Sequence, residues 1–150
     1  MYPNESLMLE KRKSEFDLFY KELIPALVEF VGRLGIQPAH GVLNHAVQYA
    51  PYLTSALRDM TVDDEQDRTW FLTRMGYFIG EYFAQKYGGC WYVNDAEGSR
   101  YFARFVVGRF ARIGKPDVMI DPFEIAQAYV DVKAPRQLDA LLSEVEAHLI

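Results

Sequence analysis

Gly80-Glu81-Tyr82-Phe83-Ala84-Gln85-Lys86-Tyr87-Gly88-Gly89-Cys90-Trp91 is the stretch in which the chain changes period. Upstream of Gly88 the apolar residues recur every three or four positions. Leu72, Gly76, Gly80, Phe83 and Tyr87 share one side of a helix, and Phe71, Met75, Phe78 and Tyr82 form a neighbouring stripe. So broad an apolar surface predicts a central helix over about 65–87, with Asp63, Asp64 and Glu65 favourable at its positive N-terminal end. Gly76 and Gly80, one turn apart, would let another backbone approach closely, which offsets the helix propensity they cost. Beyond Gly88-Gly89 the runs Cys90 to Val93 and Tyr101 to Val107 read as strands joined by a polar turn over 94–99. Arg109 to Ile113 could continue the sheet, and Val118 to Ile120 is a brief extended piece after the Gly114-Lys115-Pro116-Asp117 turn.

Working outward, Ser14-Glu15-Phe16-Asp17 resembles a capping box, and Phe16, Phe19, Leu23, Leu27, Phe30 and Leu34 fit an amphipathic helix over about 15–34. Pro25 would kink or split it, and residues 1–13 are expected to be flexible. A second helix runs from Val42, with Pro51 either breaking it or starting a further turn to Leu57. On the other side, Asp121-Pro122-Phe123-Glu124 combines an N-cap, a first-turn proline and an acid at the capping-box position. Leu138, Leu141, Leu142, Val145 and Leu149 then outline a final helix. The fold class is therefore α+β in a single domain over 1–150: N-terminal helices, a small antiparallel sheet of about three strands, and two C-terminal helices.

Composition narrows the function classes. Half of the 150 residues are hydrophobic and 15% are aromatic, enough for a sizeable core. One cysteine excludes an intrachain disulfide framework, and no apolar run is long enough to span a bilayer, so a cytoplasmic protein without a membrane partner is expected. The net charge of −5 disfavours a dedicated nucleic-acid binder.

The segment from Gly80-Glu81 through Gly88-Gly89 to Trp91, with the later Asp121-Pro122-Phe123 helix start, resembles small uncharacterised bacterial domains. In these a helix bearing Gly-Glu ends at a glycine and enters a Trp-bearing strand. The resemblance covers roughly 75–130 and names no enzyme. Some such domains are suspected immunity proteins that neutralise toxins, so the resemblance implies a protein partner.

Candidate sites follow from charge and burial. Glu81 lies within an apolar helix, on the side shared by Trp70, Arg74 and Tyr77, and a buried carboxylate needs a hydrogen-bonded or charged partner. That partner could be the backbone or an arginine, a bound ligand, or a reacting group. No second carboxylate or histidine is placed by sequence to complete acid–base chemistry. His40 and His45 lack the spacing of a metal-binding helix pair, Cys90 beside Trp91 is expected as a buried thiol, and neither metal nor cofactor is expected. Residues 100–116 hold Arg100, Arg104, Arg109, Arg112 and Lys115 without an acid, whereas the residues beyond are mainly acidic. Arg100 and Arg104 fall on one strand face by period two, giving either an arginine and aromatic surface or a sheet neutralised by the acidic C-terminal helices. The leading reading is a macromolecule-binding protein, an immunity or accessory factor, with Arg100, Arg104, Arg109, Trp91 and Tyr101 anchoring a protein partner. A homodimer is compatible with it. The alternatives are a small hydrolase-like or ligand-binding enzyme using Glu81, and a nucleic-acid-binding protein using the basic hairpin.

Overall fold

The computed structural model describes residues 3–150; residues 1 and 2, included in the expected flexible segment, lie outside the described residues. The elements run α1 (Pro3–Arg33), a 3-10 turn (Ala39–Gly41), α2 (Val42–Leu57), α3 (Glu65–Tyr87), β1 (Cys90–Val93), β2 (Phe105–Gly108), β3 (Met119–Ile120), α4 (Pro122–Val130) and α5 (Leu138–Leu149). The sheet has three antiparallel strands in the order β1-β2-β3, with Trp91 opposite Val107 and Val107 opposite Ile120. This is the α+β arrangement expected from the sequence.

Helix α3 is the centre. Asp64 caps its first turn through a bond from the Asp67 N–H (2.7 Å), and Gly88, at φ 68°, ends it in the left-handed conformation that glycine adopts without steric cost. Every residue from Met75 to Phe83 is buried, so this helix is covered on all sides. The two glycines do permit close approach, but to rings rather than backbone. A Cβ on Gly76 would lie 2.3 Å from Phe123 Cδ1 and one on Gly80 1.9 Å from Trp91 Cζ2.

Around these glycines the aromatics gather. Phe19 stacks on Phe105 at 4.0 Å between ring centroids, meets Trp91 edge-on at 5.3 Å, and stands 6.0 Å from both Tyr77 and Phe123. The cluster ties α1, α3, the sheet and α4 together, and it assigns much of the aromatic content to packing.

Helix α1 begins well before the expected start. Ser14 donates to the Lys11 carbonyl (2.7 Å) within the helix instead of capping it. Leu9 is buried, and Arg12 both donates to the Ala103 carbonyl (3.1 Å) and covers the Phe105 ring, which gives the early turns tertiary support. Pro25 leaves α1 continuous: Lys21, four residues earlier, is exposed, so the carbonyl deprived of its N–H faces water.

The break in α2 falls at His45 (φ −134°, ψ 37°), not at Pro51. Gln85 of α3 fills it: its Oε1 accepts from the Ala46 N–H (2.8 Å), and its Nε2 donates to the Val42 and Leu43 carbonyls (3.0 Å each). The side chain thus replaces the intrahelical bonds that the break removes.

Two strand expectations change. Residues 100–104 form turns rather than strand, and 109–113 leave the sheet altogether. Arg109 takes a left-handed conformation (φ 55°), after which Ala111 and Arg112 donate their N–H groups to the Gly88 and Tyr87 carbonyls at the end of α3. The third strand is instead the short Met119–Ile120 piece.

Candidate functional site

The loop from 94 to 104 is held by its own hydrogen bonds. Asn94, 2% exposed, exchanges backbone bonds with Arg104 (3.0 Å) and Ala103 (2.8 Å), and its side-chain amide donates to Ser99 (3.0 Å). Ala103 closes this pairing at φ 58°. Arg100 and Arg104 are therefore presented by turns, yet they converge on the start of α4. Arg104 donates to Asp121 (3.0 Å) and Glu124 (3.3 Å), and Arg100 pairs with Glu124. Asp121 works on two sides, since its other oxygen accepts from the Phe123 and Glu124 N–H groups and caps α4. Glu124 leaves its capping-box role to take the arginines.

The remaining bases have separate tasks. Arg109 lies over Tyr92, 3.8 Å from the ring centroid; Arg112 donates to the Gln85 and Lys86 carbonyls at the end of α3; Lys115 donates to the Ile150 carbonyl. The basic run is thus substantially compensated within the fold. Trp91 is 5% exposed and points into the aromatic cluster, so it supports the surface from beneath and does not share it with the arginines. Tyr101 does share it, with Arg100 and Arg104 at 5.0 and 5.7 Å from its ring centroid. Beside this trio opens a cleft of about 600 Å³ with Val118, Ile120, Ile125, Val145 and Leu149 in its lining, together with Arg100, Glu124 and His148.

Glu81 occupies a second cleft, of about 460 Å³, with Phe16, Tyr20, Leu43, Ala84 and Cys90. Its Oε2 accepts from the Trp91 indole N–H (3.2 Å). Burial raises its pKa above the usual carboxylate range, and the Trp91 bond opposes that shift. The donor is Trp91 rather than the backbone or an arginine, and Arg74, on the same side of α3, stacks on Trp70 at 4.9 Å and donates to the Trp70 carbonyl. His40, His45 and Tyr77 do not line this cleft, so the acid–base pairing that an enzyme reading requires is not assembled there. Cys90 is exposed, contrary to expectation: alternation along the edge strand β1 turns Trp91 inward and Cys90 outward. Among the described residues no group of three or more His, Cys, Asp or Glu side chains is placed to hold a metal ion, and no helix is long and apolar enough to cross a membrane.

One polar cluster had no sequence signal. Glu146 of α5 accepts from Tyr82 (2.9 Å), Lys86 (2.6 Å) and Tyr87 (2.5 Å) of α3. Burial raises the Glu146 pKa, but the three donors outweigh it and hold the carboxyl below its ordinary value. The Tyr87 hydroxyl is pushed up to about 12, first by burial and then by this bond. A depressed carboxyl contributes stability above its unfolded pKa and loses it as pH falls through the folded value. Glu146→Gln should therefore lower stability by about 2 kcal/mol at neutral pH, with the deficit shrinking as the medium becomes acid enough to protonate both states. Urea unfolding across that range checks this; a deficit independent of pH would refute the electrostatic account.

No family model, curated protein or solved structure matches the chain.

Proposed function

We propose that this protein acts by binding another macromolecule, a protein partner, as an immunity or accessory factor in the cytoplasm. The observation that carries the reading is the trio of exposed Arg100 and Arg104 around half-buried Tyr101 at the apolar-lined cleft beside α4 and α5. An apolar floor with a charged and aromatic rim is the usual anatomy of a protein interface, where arginine and tyrosine supply area and directional bonds together. The Arg100 side chain is 69% exposed and that of Arg104 46%, so both retain donors for a partner beyond their contacts with Asp121 and Glu124. The same internal pairs argue against polyanion binding, because a phosphate would have to compete with two carboxylates already in place.

Affinity isolation from native extract tests the proposal. The Arg100→Ala/Tyr101→Ala double variant leaves the Asp121 cap and its Arg104 contact intact, so it should keep the wild-type melting behaviour. It is expected to retain a stoichiometric protein partner at least tenfold less well than wild type. Equal retention by both proteins, or no stoichiometric partner for wild type at any salt concentration, would overturn the assignment.

A further inference from the structure

Glu81 is 8% exposed, yet no lysine, arginine or histidine among the described residues pairs with it. One of its oxygens accepts from Trp91; the other has no hydrogen-bond partner among the described residues. Buried carboxylates are ordinarily matched by a cation or by several donors. This one instead adjoins a cleft walled by Phe16 and Tyr20, whose ring centroids are 6.1 Å apart, and by the aliphatic Leu43 and Ala84. Gln85 also lines the cleft, but its amide is fully engaged in bridging the break in α2.

We propose that the Glu81 cleft is a binding site for an organic primary ammonium group carried on a short apolar stem. The ammonium head donates to the free Glu81 oxygen, the aromatic rings face its positive charge, and the stem lies along Leu43 and Ala84. Other ligand classes fit less well. An anion would meet a carboxylate, a neutral apolar molecule would leave that carboxylate unpaired, and a hard divalent cation needs several oxygen ligands where the cleft presents one carboxylate. The volume of about 460 Å³ lies within the usual range for small-molecule sites. This cleft shares no lining residue with the one beside Tyr101, so the inference stands apart from the proposed protein interface.

The test follows the Trp91 indole N–H by nuclear magnetic resonance while the full chain is titrated with n-butylammonium chloride, with sodium chloride as the ionic control. Nα-acetyl-lysinamide forms a parallel arm, since a lysine side chain carries the same head group. A saturable shift of the Trp91 signal is expected, with the Trp70 signal unmoved. Tighter binding of n-butylammonium would identify a free amine as the ligand class, and tighter binding of the lysine derivative a lysine side chain. Glu81→Gln keeps an acceptor for Trp91 while removing the charge, and should weaken binding at least tenfold. Tyr20→Ala, at a residue 37% exposed, offers a second variant whose fold is not at risk and should weaken binding several-fold. No saturable shift in wild type, or undiminished binding in either folded variant, would overturn the proposal.

Discussion

Gly80→Ala is expected to destabilise the protein even though alanine is the better helix former. The gain in propensity is about 1 kcal/mol. Against it, the new methyl would fall 1.9 Å from Trp91 Cζ2 and 2.5 Å from Cη2, far inside van der Waals contact. The indole cannot easily retreat, because Phe19 and Phe123 pack against it and Glu81 holds its N–H. Overpacking of this kind costs about 3 kcal/mol, and displacement of the indole would also strip Glu81 of its donor. A net loss of about 2 kcal/mol or more is therefore expected in chemical denaturation. The same substitution should cost markedly less when Trp91 is already Phe, since the six-membered part of the indole makes the clash. A Gly80→Ala protein as stable as wild type would refute this account of the α3–sheet contact.

The second large effect is expected at Arg136, which is 5% exposed and has no carboxylate partner among the described residues. Its guanidinium donates to the Met60 carbonyl (2.5 Å) and the Val130 carbonyl (3.1 Å), while its backbone N–H donates to Arg58 (2.8 Å). The plane lies near the rings of Phe71 (5.7 Å) and Tyr129 (6.0 Å). Val130 ends α4, and Arg58 and Met60 follow α2, so the positive charge rests where helix ends carry partial negative charge. Arg136→Met keeps the apolar stem and deletes both side-chain bonds, leaving two carbonyls short of a donor. A loss of about 3 kcal/mol is expected. Arg136→Lys should recover little of it, because one ammonium cannot reproduce a planar fork spanning two segments. The Arg136 Nε and the Tyr129 hydroxyl are buried without a hydrogen-bond partner among the described residues, so Tyr129→Phe should leave stability unchanged or slightly raised. Full stability of Arg136→Met in urea would show that the clamp is dispensable.

Local chemistry made most of the fold legible. The period of α3, its glycine stop and the Asp121-Pro122 cap are each fixed by residues adjacent in sequence, and α3 keeps the expected bounds while α4 starts where its cap predicts. What was not legible depends on partners far along the chain. Arg109 to Ile113 have strand-like composition, but a left-handed Arg109 and the carbonyls at the end of α3 redirect them. The early turns of α1 look like a loose leader until the Ala103 carbonyl and Phe105 are placed beside Arg12.

The candidate site divides in the same way. The charge segregation in the sequence offers the acidic C-terminal helices as one counterpart of the basic run, but that Asp121 and Glu124 are the acids that take Arg100 and Arg104 follows only from the fold. Trp91 lies close in sequence to the basic run and belongs by residue type with the aromatic anchors of a partner surface, whereas Gly80 of α3 forms the recess that takes its ring and Gly76 the one that takes Phe123. The Glu146 cluster joins residues about sixty positions apart, and no spacing rule reaches that far.

Gln85 has a consequence for how many structures this sequence can adopt. Two helices with broad apolar faces can slide or rotate against one another at little energetic penalty, since one greasy contact replaces another. Gln85 removes that freedom. Its amide meets one N–H and two carbonyls that are exposed only where α2 is broken, and a rotation of α3 by a single residue would strand these three groups and the amide at once. The side chain therefore acts less as a reinforcement than as a locating pin: it singles out one alignment of α2 on α3 from many of similar hydrophobic content.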